Sequence, residues 1–213
     1  MKKLSIILVV IAFIYTSVVY AQKTSFGITA GITIAKVQMK AEDISMTSDS
    51  KTGLTAGIVA NVPFGAMFSF QPAINYVQKG GKTKDENYEG KLTSHYIEIP
   101  FNILFKPEMK KVQFFAGAGP SVAAAVSAIE KETENGNTYT YKYKFGNDPD
   151  KHDMRRFEFG ANFITGIETE GGFLIAINYN LGLSNIAPGN SEDGTIKNRY
   201  WGFKIGYMLK NKK

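Results

Sequence analysis

The sequence predicts an all-β fold, an eight-stranded antiparallel up-and-down transmembrane β-barrel. Three observations predict it. Eight segments alternate in polarity with a two-residue period, no stretch of any length carries the spacing of an amphipathic helix, and the connections between segments are long and short in turn.

The chain opens with MKK and the apolar run LSIILVVIAFIYTSVV, and Val19 and Ala21 stand ahead of Gln22. A charged start, an apolar centre and a small-residue exit read as a secretory signal peptide over residues 1–21. Its removal from the 213-residue chain leaves 22–213, 192 residues, as one barrel domain. That domain has no cysteine, so no disulfide can hold it. The net charge of +6 falls to +4 without Lys2 and Lys3. So mild a balance, with no basic patch interleaved with aromatics, gives no nucleic-acid partner.

The first strand sets Phe26, Ile28, Ala30, Ile32 and Ile34 against Gly27, Thr29, Gly31 and Thr33. The second sets Leu54, Ala56, Ile58, Ala60 and Val62 against Gly53, Thr55, Gly57, Val59 and Asn61. In the third, Phe68, Phe70, Ile74 and Tyr76 oppose Ser69, Gln71, Ala73 and Asn75; in the fourth, Ile97, Ile99, Phe101, Ile103 and Phe105 oppose Tyr96, Glu98, Asn102 and Leu104. The fifth, VQFFAGAGPSVAAAV, and the sixth, RFEFGANFITGIE, repeat the pattern. So do the seventh, FLIAINYNLGLS, and the eighth, YWGFKIGYML. The connections run over 37–51, 63–66, 79–93, 106–111, 127–153, 169–172 and 185–198. Tight turns at one end and long loops at the other predict a meander through a bilayer, with both termini in the periplasm.

An apolar face on all eight strands, with no helix to cover it, must point either into a core or into lipid. The second face decides between them. It is rich in Gly, Ala, Ser, Thr and Asn, which suit the crowded interior of a narrow barrel better than a solvated sheet surface. The apolar faces are therefore expected in lipid. The alternative is a soluble periplasmic lipocalin-like carrier of an apolar ligand, with those faces inward. Aromatics fall at the two expected interface levels: Phe26, Phe68, Phe105, Phe114, Phe173 and Tyr207 at the lower ends, and Tyr76, Phe157 and Trp201 at the upper ends.

GITAGITIAKV, GLTAGIVANVPFGAMFSFQPAINYVQKGGK, HYIEIPFNILFK, FFAGAGPSVAAAVS, INYNLGLSNIAP and KNRYWGFKIGY together resemble the PorT-like family of outer membrane β-barrel proteins, in order and across most of the mature chain. The resemblance implies a small outer membrane barrel of a Gram-negative envelope, without assigned catalytic residues. It also implies outer membrane lipid and lipopolysaccharide as surroundings, and envelope or secretion proteins as possible partners. One departure is the end, MLKNKK, which lacks a terminal aromatic beyond Tyr207.

No catalytic, cofactor or metal site is expected. GPSVA at 119–123 has Ala123 where a nucleophile elbow needs Gly, and Ser121 sits inside an alternating strand rather than at a strand-to-helix turn. GAG at 117–119 lacks the third Gly and the helix of a dinucleotide site. NDPDKHD at 147–153 gathers Asp148, Asp150, His152 and Asp153, ligands suited to a divalent cation, but in the longest loop, where a solvated role is expected. A rim-site outer membrane enzyme would draw on these and on His95. The inward faces carry four charges, Glu98, Arg156, Glu158 and Lys204. A lone buried charge costs several kcal/mol, so the four are expected to pair as a structural cluster that plugs the lumen of a monomer.

Overall fold

The computed structural model describes residues 24–41, 44–107, 109, 111–189 and 194–209. The signal-peptide reading of 1–21 lies outside the described residues, as does the chain end after Leu209. Among the described residues there are ten strands: β1 (Ser25–Ala41), β2 (Ile44–Thr47), β3 (Lys51–Phe64), β4 (Phe68–Lys84), β5 (Tyr88–Phe105), β6 (Val112–Glu134), β7 (Asn137–Lys142), β8 (Phe157–Thr169), β9 (Phe173–Gly182) and β10 (Thr195–Leu209). Eight of them form a ring in the order β1-β3-β4-β5-β6-β8-β9-β10, antiparallel throughout, and β10 closes it by pairing with β1 from Phe26↔Leu209 to Lys40↔Thr195. The remaining two are hairpin partners outside the ring, β2 on β1 and β7 on β6.

The period-2 sequence pattern becomes two surfaces. Phe26, Ile28, Leu54, Ile58, Ile74, Phe114, Phe159, Trp201, Ile205 and Leu209 are all exposed, while Thr33, Thr55, Asn75, Asn102, Asn162, Asn178 and Tyr200 are buried. A sheet with its apolar side chains outside and its amides inside is the reverse of a water-soluble barrel. This rules against the lipocalin arrangement. The proposed girdle aromatics Phe26, Phe68, Phe105, Phe114, Phe157, Phe173, Trp201 and Tyr207 are exposed on the outer wall. Tyr76 is half-buried there, its hydroxyl 2.5 Å from His95 Nδ1. At the lower end Phe68 lies between Phe64 and Phe105, with ring centroids at 6.1 and 5.8 Å. At the upper end Tyr179 packs on Trp201 at 4.8 Å.

Two of the expected long loops prove to be largely strand. The span 37–51 contains the end of β1 and all of β2, and 127–153 contains the end of β6 and all of β7. Each strand pattern extends beyond the apolar stretch as alternating polar residues, which the outward hydrophobic period alone could not register. The sharpest local signal is Asn135-Gly136, with φ of 50° and 83°, the backbone of a two-residue hairpin turn. The expectation that 79–93 is a loop is likewise corrected, because β4 runs on to Lys84 and β5 begins at Tyr88.

Closure requires close backbone approach at the β1–β10 seam. A Cβ at Gly31 would stand 1.9 Å from the Phe203 carbonyl oxygen. Gly31→Val should therefore force the seam apart at a cost of about 3 kcal/mol, the upper part of the range for overpacking. In detergent gels the unboiled wild-type barrel should migrate apart from the boiled chain, and Gly31→Val should lose much of that folded band. Identical migration of boiled and unboiled wild type would argue against a closed barrel.

Candidate functional site

The site is the interior of the ring, filled in layers by residues that parity turns inward. At the lower end Val59, Leu104, Phe115, Leu174, Ala176 and Met208 pack into an apolar cluster. Beside them the Lys106 ammonium meets the Glu168 carboxylate at 2.5 Å. The middle layer is made of amides. Asn162 donates to Asn102 at 2.9 Å, Asn178 donates to Asn162 at 3.0 Å, and Asn180 donates to Ser121 at 2.8 Å. A short amide can both donate and accept, so amides link into a ladder in a space too narrow for longer chains, and only the end oxygen, Asn178 Oδ1, is left without a partner in it. Ser121 lies buried inside β6, as expected from the alternation of its strand, and its hydroxyl accepts from Asn180.

Above the amides lies a charged layer. Lys79 Nζ is 2.9 Å from Glu98 and 3.3 Å from Glu158, and the three side chains are 1%, 1% and 2% exposed. Tyr200 donates to Glu98 at 2.5 Å, and Asn198 donates to Glu158 at 2.9 Å. The ammonium also lies over the Tyr96 ring at 4.7 Å and the Tyr200 ring at 5.3 Å. Two carboxylates sharing one ammonium are thus held by hydrogen bonds from a phenol and an amide and by two ring faces. These contacts let charges persist out of water, although the second oxygen of Glu158, Oε1, has no hydrogen-bond partner among the described residues.

Glu98 and Glu158 therefore meet a cation, but neither of the two expected. Arg156 is not in the lumen: it precedes β8, is exposed, and lays its guanidinium 5.2 Å from the Phe145 ring. Strict alternation does not hold at Arg156 because it lies one residue before β8 begins. Lys204 is buried on β10, opposite Gly31 and Ala176, and makes no ion pair among the described residues. It lines a cavity of about 30 Å³ with Gln71, Asn75, Asn102 and Asn162, one layer below the carboxylates. The cation is Lys79, which the expected connection over 79–93 includes but which the structure places within β4. Continuing the inward series Ser69, Gln71, Ala73, Asn75 through Val77 reaches it.

A roof covers the charged layer. Met154 and Ile186 pack on Tyr96, Ala123, Ala125 and Ala128, supported by Tyr143, Phe145 and Ile196. The segment 143–154 is drawn over the mouth by its own bonds. Lys144 N donates to Asp153 at 2.7 Å, Gly146 N donates to Met154 O at 3.0 Å, and Asp148 accepts from Asp150 N at 3.1 Å. Those bonds occupy Asp148 and Asp153, and no cluster of three metal-ligating side chains exists among the described residues. His95 is held by Tyr76 and His152 by the Asp148 carbonyl, and neither pairs with a carboxylate side chain among the described residues. Beside the roof is a vestibule cavity of about 130 Å³, lined by Val37, Met39, Leu92, Tyr88, Glu130 and Tyr143 among others. Tyr143 donates to Glu130 at 2.5 Å, and burial, then that carboxylate, push its phenol well above the usual range, so it remains a donor.

The family model for the outer membrane protein beta-barrel domain matches residues 20–187. Among solved structures, Ail, the attachment invasion locus protein of Yersinia pestis, is 13% identical with a TM-score of 0.46, over 88% of this chain and 99% of that one. Neisserial surface protein A is 14% identical with a TM-score of 0.44, over 88% and 99%. OprG from Pseudomonas aeruginosa is 10% identical with a TM-score of 0.43, over 89% and 98%. Comparison with curated proteins finds no match. A closed ring of eight strands, apolar outside and packed with amides and a charged layer inside, matched by that family model over most of its length, identifies the chain as a member of the outer membrane protein beta-barrel domain family.

Proposed function

We propose that the protein is a non-enzymatic, monomeric outer membrane barrel of PorT-like type, with a plugged lumen, whose work is done by the structures projecting from its upper end. The observation that carries this reading is the continuous filling of the lumen by an apolar layer, an amide layer and the Lys79–Glu98–Glu158 layer. Eight strands leave room for side chains and little else. With transport blocked, the β1–β2 and β6–β7 hairpins and the roof over 143–154 remain as the parts available for display, binding or accessory contact with envelope proteins. The long elements all lie at the end away from both chain termini of the barrel, which supports periplasmic termini.

The test of the plug is conductance. Purified protein in planar bilayers should show no steady current, and a stable open channel in the wild type would overturn the plugged reading. The charged layer gives a second measurement. Lys79→Met leaves two carboxylates without their ammonium and should cost about 3–5 kcal/mol of unfolding free energy. Adding Glu98→Gln and Glu158→Gln should return part of it; purely additive losses would mean that the three do not act as a unit.

Topology is tested separately. An epitope inserted between Asn135 and Gly136, at the tip of the β6–β7 hairpin, should be reached by antibody on intact cells. Access only after the outer membrane is opened would place the hairpins in the periplasm.

A further inference from the structure

The strands β4, β5, β6 and β7 continue above the ring as a ribbon whose two faces differ in charge. Gly81, Leu92 and Glu130 are directly paired in register and all line the vestibule cavity, so they mark the inner face. Gly90, which also lines it, pairs with Glu132, and that carboxylate accepts a hydrogen bond from Tyr88. The inner face is thus acidic. The next rung, Lys82↔Lys91↔Lys131, falls on the opposite face by the alternation of a strand. Lys142, paired with Ile129, shares that outer face one rung below.

Three lysines directly opposed on adjacent strands stand about 5 Å apart at Cβ, and like charges so placed are destabilising. Edge protection by lysine does not account for Lys91 and Lys131, because β5 is flanked by β4 and β6, and β6 at this height is covered by β7. Lys91 and Lys131 are exposed and Lys82 is half-buried. Two acids are nearby: Asp49 bridges to the Lys82 backbone, and Glu89 stands one rung above Lys91. Neither is within ion-pair distance of the three, and none of the three makes a salt bridge among the described residues. An anion from outside the chain would relieve this repulsion.

The height of the rung identifies that anion. Lys82 is six residues above Tyr76 on β4, and Lys91 six above Ile97 on β5. At roughly 3.3 Å per residue and a tilt near 40°, the row lies about 15 Å beyond the upper aromatic level. A phospholipid headgroup region is only about 5–8 Å deep on each side. We propose that the Lys82–Lys91–Lys131 rung binds phosphate groups in the tall sugar headgroup of an outer-leaflet glycolipid. The proposal rests on the reading of the upper end as the cell-surface end.

The test compares wild type with a Lys82→Gln, Lys91→Gln, Lys131→Gln triple variant and with Lys91→Glu alone. Each is reconstituted in vesicles of phosphatidylcholine, of phosphatidylcholine with phosphatidylglycerol, and of phosphatidylcholine with rough lipopolysaccharide matched in charge. In phosphatidylcholine both variants should unfold at or above the wild-type temperature, because repulsion has been relieved. With lipopolysaccharide the wild type should gain about 6 °C or more and the variants much less. Equal gains in wild type and variants would overturn the site, and a full wild-type gain from phosphatidylglycerol would overturn the glycolipid. Because these vesicles carry lipopolysaccharide on both leaflets, inverted topology leaves the result unchanged and is detected only by the hairpin epitope.

Discussion

Lipid offers nothing to an unpaired peptide group, so every backbone N–H and C=O at membrane depth must find its partner within the protein. For a chain of strands this leaves only a closed ring, and the β10–β1 seam is where the ring is completed. The rest of the architecture depends on that seam. Once the sheet is closed, side-chain parity has only two destinations: Phe26, Ile28 and Ile205 face outward, and Asn102, Asn162 and Asn178 meet inside the ring. Small residues at the seam are a condition of closure rather than an ornament, because the neighbouring backbone occupies the space where a Cβ at Gly31 would stand.

A narrow interior then imposes its own chemistry. Amides dominate the middle of the lumen because each can satisfy a neighbour in either sense, and the ladder from Asn102 through Asn162 to Asn178 does so across three strands. Charge is admitted where it is most thoroughly surrounded. The Lys79 ammonium has two carboxylates within 3.3 Å and two tyrosine rings within 5.3 Å, which together replace the water it gave up. Lys204 illustrates the contrasting solution, a buried cation set beside a small polar cavity and amide side chains instead of an ion pair.

Above the membrane the constraint relaxes and the same strands take on another role. Their outward positions change from Ile97 and Tyr76 to Lys91 and Lys82, while their inward positions change from Glu98 and Asn75 to Leu92 and Gly81. One continuous ladder therefore presents lipid-compatible residues at one height and a surface of opposite charge on its two faces at another. The roof formed by Met154 and Ile186 seals the boundary between these two regimes.

Much of this was legible in the sequence. The eight alternating segments, the small second face and the turn-and-loop rhythm follow from local periodicity, and periodicity is a property of the chain alone. They determined the barrel, its inverted surfaces and the inward direction of Glu98, Glu158 and Lys204. Local signals faded where polarity stopped alternating. Hence local periodicity does not mark Lys79 as strand, does not show that β8 begins only after Arg156, and does not separate the hairpin turning at Asn135-Gly136 from the long connection around it. The choice of partner for each inward charge was decided only by the tertiary structure. Parity fixes the side of the sheet on which a residue stands, but register and closure of the ring fix its height and which strand faces it across the axis. Those quantities depend on residues far apart in the chain, such as Glu98 with Tyr200, 102 positions away, and Lys79 with Glu158.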